Sequence, residues 1–123
     1  MKIISQKESS YVSKPEGINV WYYIRDEYEL HYSEQLPNSS QKWHHHEKIL
    51  ETFFLVEGEL TVEWKENGKI NKQIIKKGDF VETEKTPHTF VNHTNRIAKV
   101  VVIKQVLSGK NNKELFKTDK ILD

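Results

Sequence analysis

A chain of 123 residues, 30% of them charged and with a formal charge of only +1, holds one domain's worth of core and gives no reason to expect a nucleic-acid or anionic-membrane partner. It contains no cysteine, which excludes disulfides, thiolate nucleophiles and cysteine-ligated centres, so any metal must be held by nitrogen and oxygen. The opening MKIISQKESSY lacks the apolar stretch of a signal peptide, and the longest apolar run near the end, residues 100–103, is far short of a membrane span, so a cytoplasmic protein is expected.

Residues 1–17 are polar and end on Pro15-Glu16-Gly17, which reads as a leading arm able to pair with an edge strand or wrap a partner subunit. In residues 18–25, Ile18, Val20, Tyr22 and Ile24 alternate with Asn19, Trp21, Tyr23 and Arg25, a strand buried on one side and in contact with something on the other. YELHYS continues the alternation with Tyr28, Leu30 and Tyr32 on one side. His31, opposite them, reads first as a surface or interface residue and second as a pocket residue. LPNSSQ, residues 36–41, is a loop rich in turn formers, followed by KWHHH as a strand. Residues 51–56 and 60–64 form a hairpin closed at Glu57-Gly58, and Asn67-Gly68 turns the chain into a strand over residues 70–75. After the Lys77-Gly78-Asp79 turn come a short strand at Phe80-Val81, then TFVN behind Thr86-Pro87-His88, and a last long strand over residues 96–106. That strand is apolar on both faces toward its end, which places it centrally in a sheet. For the polar tail, residues 107–123, a short docked helix and a loosely ordered end both fit. Many short strands with glycine turns and no sustained helical period predict an all-β sandwich or barrel.

Histidines at i and i+2 on a strand share a face, so His44 and His46 point together and His45 points away as a rim residue. Glu51 shares a face with Phe53 and Leu55, and a carboxylate turned toward a core is costly unless paired or metal-bound. His88 shares a face with Phe90 and Asn92. If its strand lies antiparallel beside the first, three imidazoles and one carboxylate meet inside, a set suited to iron(II), manganese, nickel, cobalt or zinc. His93 sits in a polar turn and is expected to be exposed. Phe53, Trp64, Phe90 and Tyr22 can line a cavity, although core packing alone accounts for them.

These residues resemble the cupin superfamily, whose first motif reads Gly-x5-His-x-His-x(3,4)-Glu-x6-Gly. His44-x-His46-x4-Glu51-x6-Gly58 follows it from the first histidine on, with Asn38 in place of the opening glycine. Of the second motif, Gly-x5-Pro-x-Gly-x2-His-x3-Asn, Gly78 opens the match and His88-x3-Asn92 closes it, while the middle is one residue shorter with Pro87 directly before the histidine. The resemblance spans about residues 36–106, with motifs at 38–58 and 78–92. It implies a double-stranded β-helix (jelly-roll) barrel over residues 18–106, with the arm before it and the tail after it. It also implies one divalent ion per chain (iron, manganese, nickel or zinc) on His44, His46, Glu51 and His88, and a homodimer. Superfamily members include dioxygenases, isomerases, decarboxylases and epimerases, and also binders without turnover. The resulting expectation is a metal-dependent enzyme acting on a small oxygenated organic substrate, by oxygenation or carbonyl isomerisation. The alternative is a non-catalytic small-ligand binder with a structural or ligand-anchoring metal. General-base candidates are His31, Tyr22, Tyr32 and Glu82. No phosphate-cradling glycine loop is present, so no nucleotide is expected.

Overall fold

The computed structural model describes residues 1–106 and 113–123. Within them a 3-10 turn at Gln6–Glu8 precedes β1 (Ser10–Lys14), β2 (Ile18–Ile24), β3 (Tyr28–Gln35), β4 (Ser39–Ser40), β5 (His44–His46), β6 (Ile49–Glu57), β7 (Glu59–Glu66), β8 (Lys69–Lys76), β9 (Phe80–Glu82), β10 (His88–Asn92) and β11 (Ala98–Val106). The chain then continues through helix α1 (Lys113–Thr118) and β12 (Lys120–Leu122). Residues 107–112 of the predicted tail lie outside the described residues.

Two six-stranded sheets result: β1-β2-β3-β11-β6-β9, and β12-β5-β10-β7-β8 with β4 also paired to β10. The expected double-stranded β-helix thus takes the form of two facing sheets, and among the described residues they do not join into a closed barrel. The physical reason lies at the edges. Strands β9 and β12 are three residues long, too short to carry a ladder from one sheet to the other. The sheets are instead held by the core between them, where Phe53, Leu55, Val100 and Val102 of the first meet Leu60, Val62, Ile75 and Phe90 of the second. Strand β11 is central, as its two apolar faces predicted, with β3 on one side and β6 on the other.

The leading arm supplies an edge strand, β1, in antiparallel register with β2. On the outer face Tyr11, Trp21 and Tyr32 stand in one row across β1, β2 and β3, with ring centroids 4.9 and 5.5 Å apart. That row is what the outward aromatic face of residues 18–25 contacts. The inner face of β3 is the surprise: Glu29, His31, Ser33 and Gln35 are buried, and the apolar Tyr28 and Leu30 are not. His31 is therefore an interior residue, 8% exposed, which corrects its reading as a surface or interface position. The pairings of β3 with β2 and β11 set this register against hydropathy, which favours the face of Tyr28, Leu30 and Tyr32.

Two backbone positions shape the loops near the histidines. Asn38, which stands where the first motif has glycine, has φ 56, a left-handed conformation that asparagine tolerates better than most residues. In the shortened second motif Glu84 and Lys85 have φ 49 and 66, so this loop is closed by two successive left-handed residues with no glycine among them.

Candidate metal centre

Strand β5 is short, and its alternation turns His44 and His46 inward, 4% and 1% exposed. His45 points out and bonds Asp123 through Nδ1 at 2.7 Å. Strand β10 lies antiparallel beside β5 with His88 opposite His44, as the antiparallel condition on the two histidine strands required. The ring centroids of His44 and His88 are 4.5 Å apart. Glu51 arrives from the opposite sheet on β6, 2% exposed. Its Oε2 is 3.1 Å from His46 Nε2, and its Oε1 is 3.1 Å from His88 Nε2 and 3.7 Å from His44 Nε2. Sequence pattern and structure thus bring the same four residues together. His93 is exposed, as expected.

The other ring nitrogens explain what this convergence is for. His44 Nδ1 is 2.8 Å from the Lys42 carbonyl, His88 Nδ1 is 2.6 Å from the Thr86 carbonyl, and His46 Nδ1 is 3.2 Å from the Asp119 carbonyl. A carbonyl only accepts, so each Nδ1 carries the proton and each Nε2 of a neutral ring presents a lone pair. Burial pushes His44 down, toward the neutral ring. Burial alone would push the Glu51 carboxyl up, but the hydrogen bonds that His44, His46 and His88 donate from Nε2 when their rings are protonated, together with the Lys104 ammonium, hold it well below the usual carboxylate range. Lone pairs on both sides of a 3.1 Å gap repel unless a proton or a cation lies between them. Bonds of about 2.1 Å to one ion would put its donor atoms roughly 3 to 4 Å apart, and the gaps here are 3.1, 3.1 and 3.7 Å. The donor atoms of His44, His46 and Glu51 all lie within 4.8 Å of one another. Spacing, tautomers and ligand chemistry therefore all fit a divalent ion.

Residues outside the sequence pattern hold this arrangement. Asp119, between α1 and β12, accepts the backbone N–H groups of Glu47, Lys48 and Ile49 at 3.2, 2.8 and 3.0 Å. It thereby fixes the bend that carries the chain from β5 to Glu51, and β12 pairs alongside β5. No spacing rule points to Asp119 from residue 46. Asp119→Ala is expected to cost about 2–3 kcal/mol in a urea titration, because a buried, charge-assisted acceptor is lost. It should also weaken metal affinity about 10- to 100-fold in a chelator competition, because the bend that sets Glu51 against His46 loosens.

On the first sheet Glu29, Lys104 and Glu51 stand in one row across β3, β11 and β6. Lys104 Nζ is 3.9 Å from both Glu29 Oε2 and Glu51 Oε2. Lys104 is missed by the sequence reading, although its parity with the interior Val100 and Val102 is the signal that points to it. Glu29 also bonds His31 Nδ1 at 2.8 Å, and burial pushes His31 down. Of the other base candidates, Tyr22 packs on His31 at 5.0 Å, and burial pushes its hydroxyl up. Tyr32 is on the outer face, bonded to Glu34. Glu82 is exposed, at the rim of a cavity on the His88 side.

Two cavities reach the cluster. One of about 470 Å³ touches it through His88 and is lined by Trp64, Ile75 and Phe80 together with Glu66, Asp79, Glu82 and Glu84. The other, about 40 Å³, is lined by His44, Glu51, His31 and Tyr22 together with Lys14, Lys104 and Lys120. Phe53 and Phe90 stack at 4.0 Å beside the cluster and fill the space between the sheets.

The sequence model of the family described as "Cupin domain" matches residues 31–104. No curated protein sequence matches the chain. Among solved structures, vicilin from hazelnut, Corylus avellana, superposes with TM-score 0.74 at 16% identity over 88% of this chain and 33% of that one. A point variant of oxalate decarboxylase from Bacillus subtilis gives TM-score 0.77 at 13% identity over 98% of this chain and 32% of that one. A recombinant oxalate oxidase in complex with glycolate gives 0.70 at 17% identity over 85% and 59%. At such identities the likeness is one of fold, and this chain spans about a third of the vicilin and decarboxylase chains.

Proposed function

The chain belongs to the cupin family, with a His-His-Glu triad of the kind that family uses for metal, and on that premise we propose that it is a metal-dependent enzyme acting on a small oxygenated organic molecule. In this reading His44, His46, Glu51 and His88 hold one divalent ion of iron, manganese, nickel or zinc. Such an ion supplies Lewis acidity toward a carbonyl or hydroxyl oxygen. Oxygenation and carbonyl isomerisation are the reactions we favour. Two of the structures that share the fold are named for oxalate, itself a small oxygenated molecule.

One observation carries the enzyme reading: His31, backed by the buried carboxylate of Glu29, lines the same cavity as His44 and Glu51. His31 donates its Nδ1–H to Glu29, which leaves Nε2 with a lone pair. Burial favours that neutral ring, so His31 is poised to take a proton, and Glu29 orients it and steadies the charge it gains. Tyr22, packed against His31, shields the pair from bulk water.

The test combines elemental analysis of untagged protein with oxygen uptake and carbon-bound proton exchange on a panel of small carbonyl compounds. Near-stoichiometric metal is expected, and His31→Gln should lower turnover about 100- to 10,000-fold with metal content unchanged. Full turnover in His31→Gln would remove its role as base.

A second reading, the non-catalytic binder, is favoured by the larger cavity, which borders His88 and holds an apolar wall of Trp64, Ile75 and Phe80. Metal-dependent ligand binding with neither oxygen uptake nor proton exchange would select it.

A further inference from the structure

The two cavities beside the histidine cluster differ in charge. The larger is lined by Glu66, Asp79, Glu82 and Glu84 and, among the described residues, by no lysine or arginine. The smaller is lined by Lys14, Lys42, Lys104 and Lys120, against Glu16 and Glu51. The lysines reach it from separate parts of the chain: Lys14 closes β1, Lys104 lies on the inner face of β11, and Lys120 opens β12. Segments that read as an arm and a tail thus each put an ammonium group at the same opening.

Lys104 is paired with Glu29 and Glu51. Among the described residues Lys14 and Lys120 have no carboxylate within ion-pair distance. Burial and the neighbouring lysines push both groups down, Lys120 to about 8. Clustered ammonium groups repel one another and lose hydration, a cost that an anion between them offsets. Glu51 answers only Lys104 among them, at 3.9 Å, while its oxygens otherwise face His46 and His88, so Lys14 and Lys120 are left for another anion. The cavity, about 40 Å³, has room for roughly three waters, which matches a compact anion.

We propose that this cavity is a carboxylate-binding site, in which Lys14, Lys104 and Lys120 hold a small organic acid with one end beside His44 and Glu51. The proposal rests on the reading of a metal-dependent site above and names the charge class of the molecule that site takes. His31 and Tyr22 on the same wall then face the carbon next to the bound carboxylate, and the acidic cavity on the His88 side repels the same molecule.

Calorimetric titration of the full chain at low ionic strength, with and without added divalent metal, tests it with malonate, its uncharged diamide malonamide, and inorganic phosphate. Lys14→Gln and Lys120→Gln are the informative variants, since both residues are half-buried on edge strands and the fold does not depend on their charge. Each should raise the Kd for malonate about tenfold, the double variant about 100-fold, with metal content unchanged and malonamide not binding. Unchanged malonate affinity in the double variant would overturn the proposal, as would malonamide binding as well as malonate, or phosphate binding more tightly than malonate. Lysine-dependent malonate binding by a protein that takes up no metal would uphold the carboxylate site and remove only the metal. Retained metal with lysine-independent binding would do the reverse.

Discussion

Alanine at His46 or His88 is expected to strip the chain of bound metal, with affinity falling by at least about 100-fold, the upper range for loss of a residue that merely supports a ligand. Each substitution removes an Nε2 that stands 3.1 Å from a Glu51 oxygen. The fold should survive both. His88 is held by backbone pairing to β5 and β7 whatever its side chain, and β5 keeps its pairing to β12. His93→Ala is the matched control, because that ring is exposed and lies beyond the end of β10. Elemental analysis after dialysis reads all three. Equal metal retention in the His46 and His88 variants would refute the centre.

Phe90→Ala should do the opposite: cost about 3–5 kcal/mol of stability, the usual range for emptying a buried aromatic position, and leave metal binding nearly intact. Phe90 is fully buried, stacks on Phe53 at 4.0 Å and joins the two sheets where no ladder does. A cavity left there has little means of collapsing, because rigid strands border it on both sides. His88, two residues away, keeps its place through the β5 and β7 pairings and the Thr86 carbonyl. Urea unfolding followed by metal analysis of the folded fraction separates the effects. A loss under about 1 kcal/mol, well below the cavity range, would mean that the sheets are held by something other than this stack.

The two variants also mark what could be read from the residues alone. His44, His46, Glu51 and His88 were legible because strand parity and spacing fix which side chains turn the same way, and the pairing of β5 with β10 did the rest. Asn38 was legible as a turn residue for the same local reason. Parity, however, names a face without saying which face is inside. On β3 the interior fell to Glu29, His31, Ser33 and Gln35, a choice made by neighbouring strands and not by hydropathy. The barrel was over-read, since closure depends on edge-strand length, which turn signals fix only loosely. Asp119, Lys14 and Lys120 were out of reach because their roles arise from contacts between distant segments, for which the chain carries no periodic mark.

The hydrogen bond that His46 Nδ1 donates to the Asp119 carbonyl, together with the hold of the Asp119 carboxylate on residues 47–49, ties a late segment of the chain to the ion site. Reciprocity follows from thermodynamics: whatever factor an ordered β12 adds to ion affinity, a bound ion returns to the ordering of β12. At an ion concentration 100 times its Kd, occupancy adds about 2.7 kcal/mol against any opening that empties the site. The slowest amide exchange on β12 and β5 would then belong to the loaded protein, and ion depletion would release that strand well before the core between the sheets gives way.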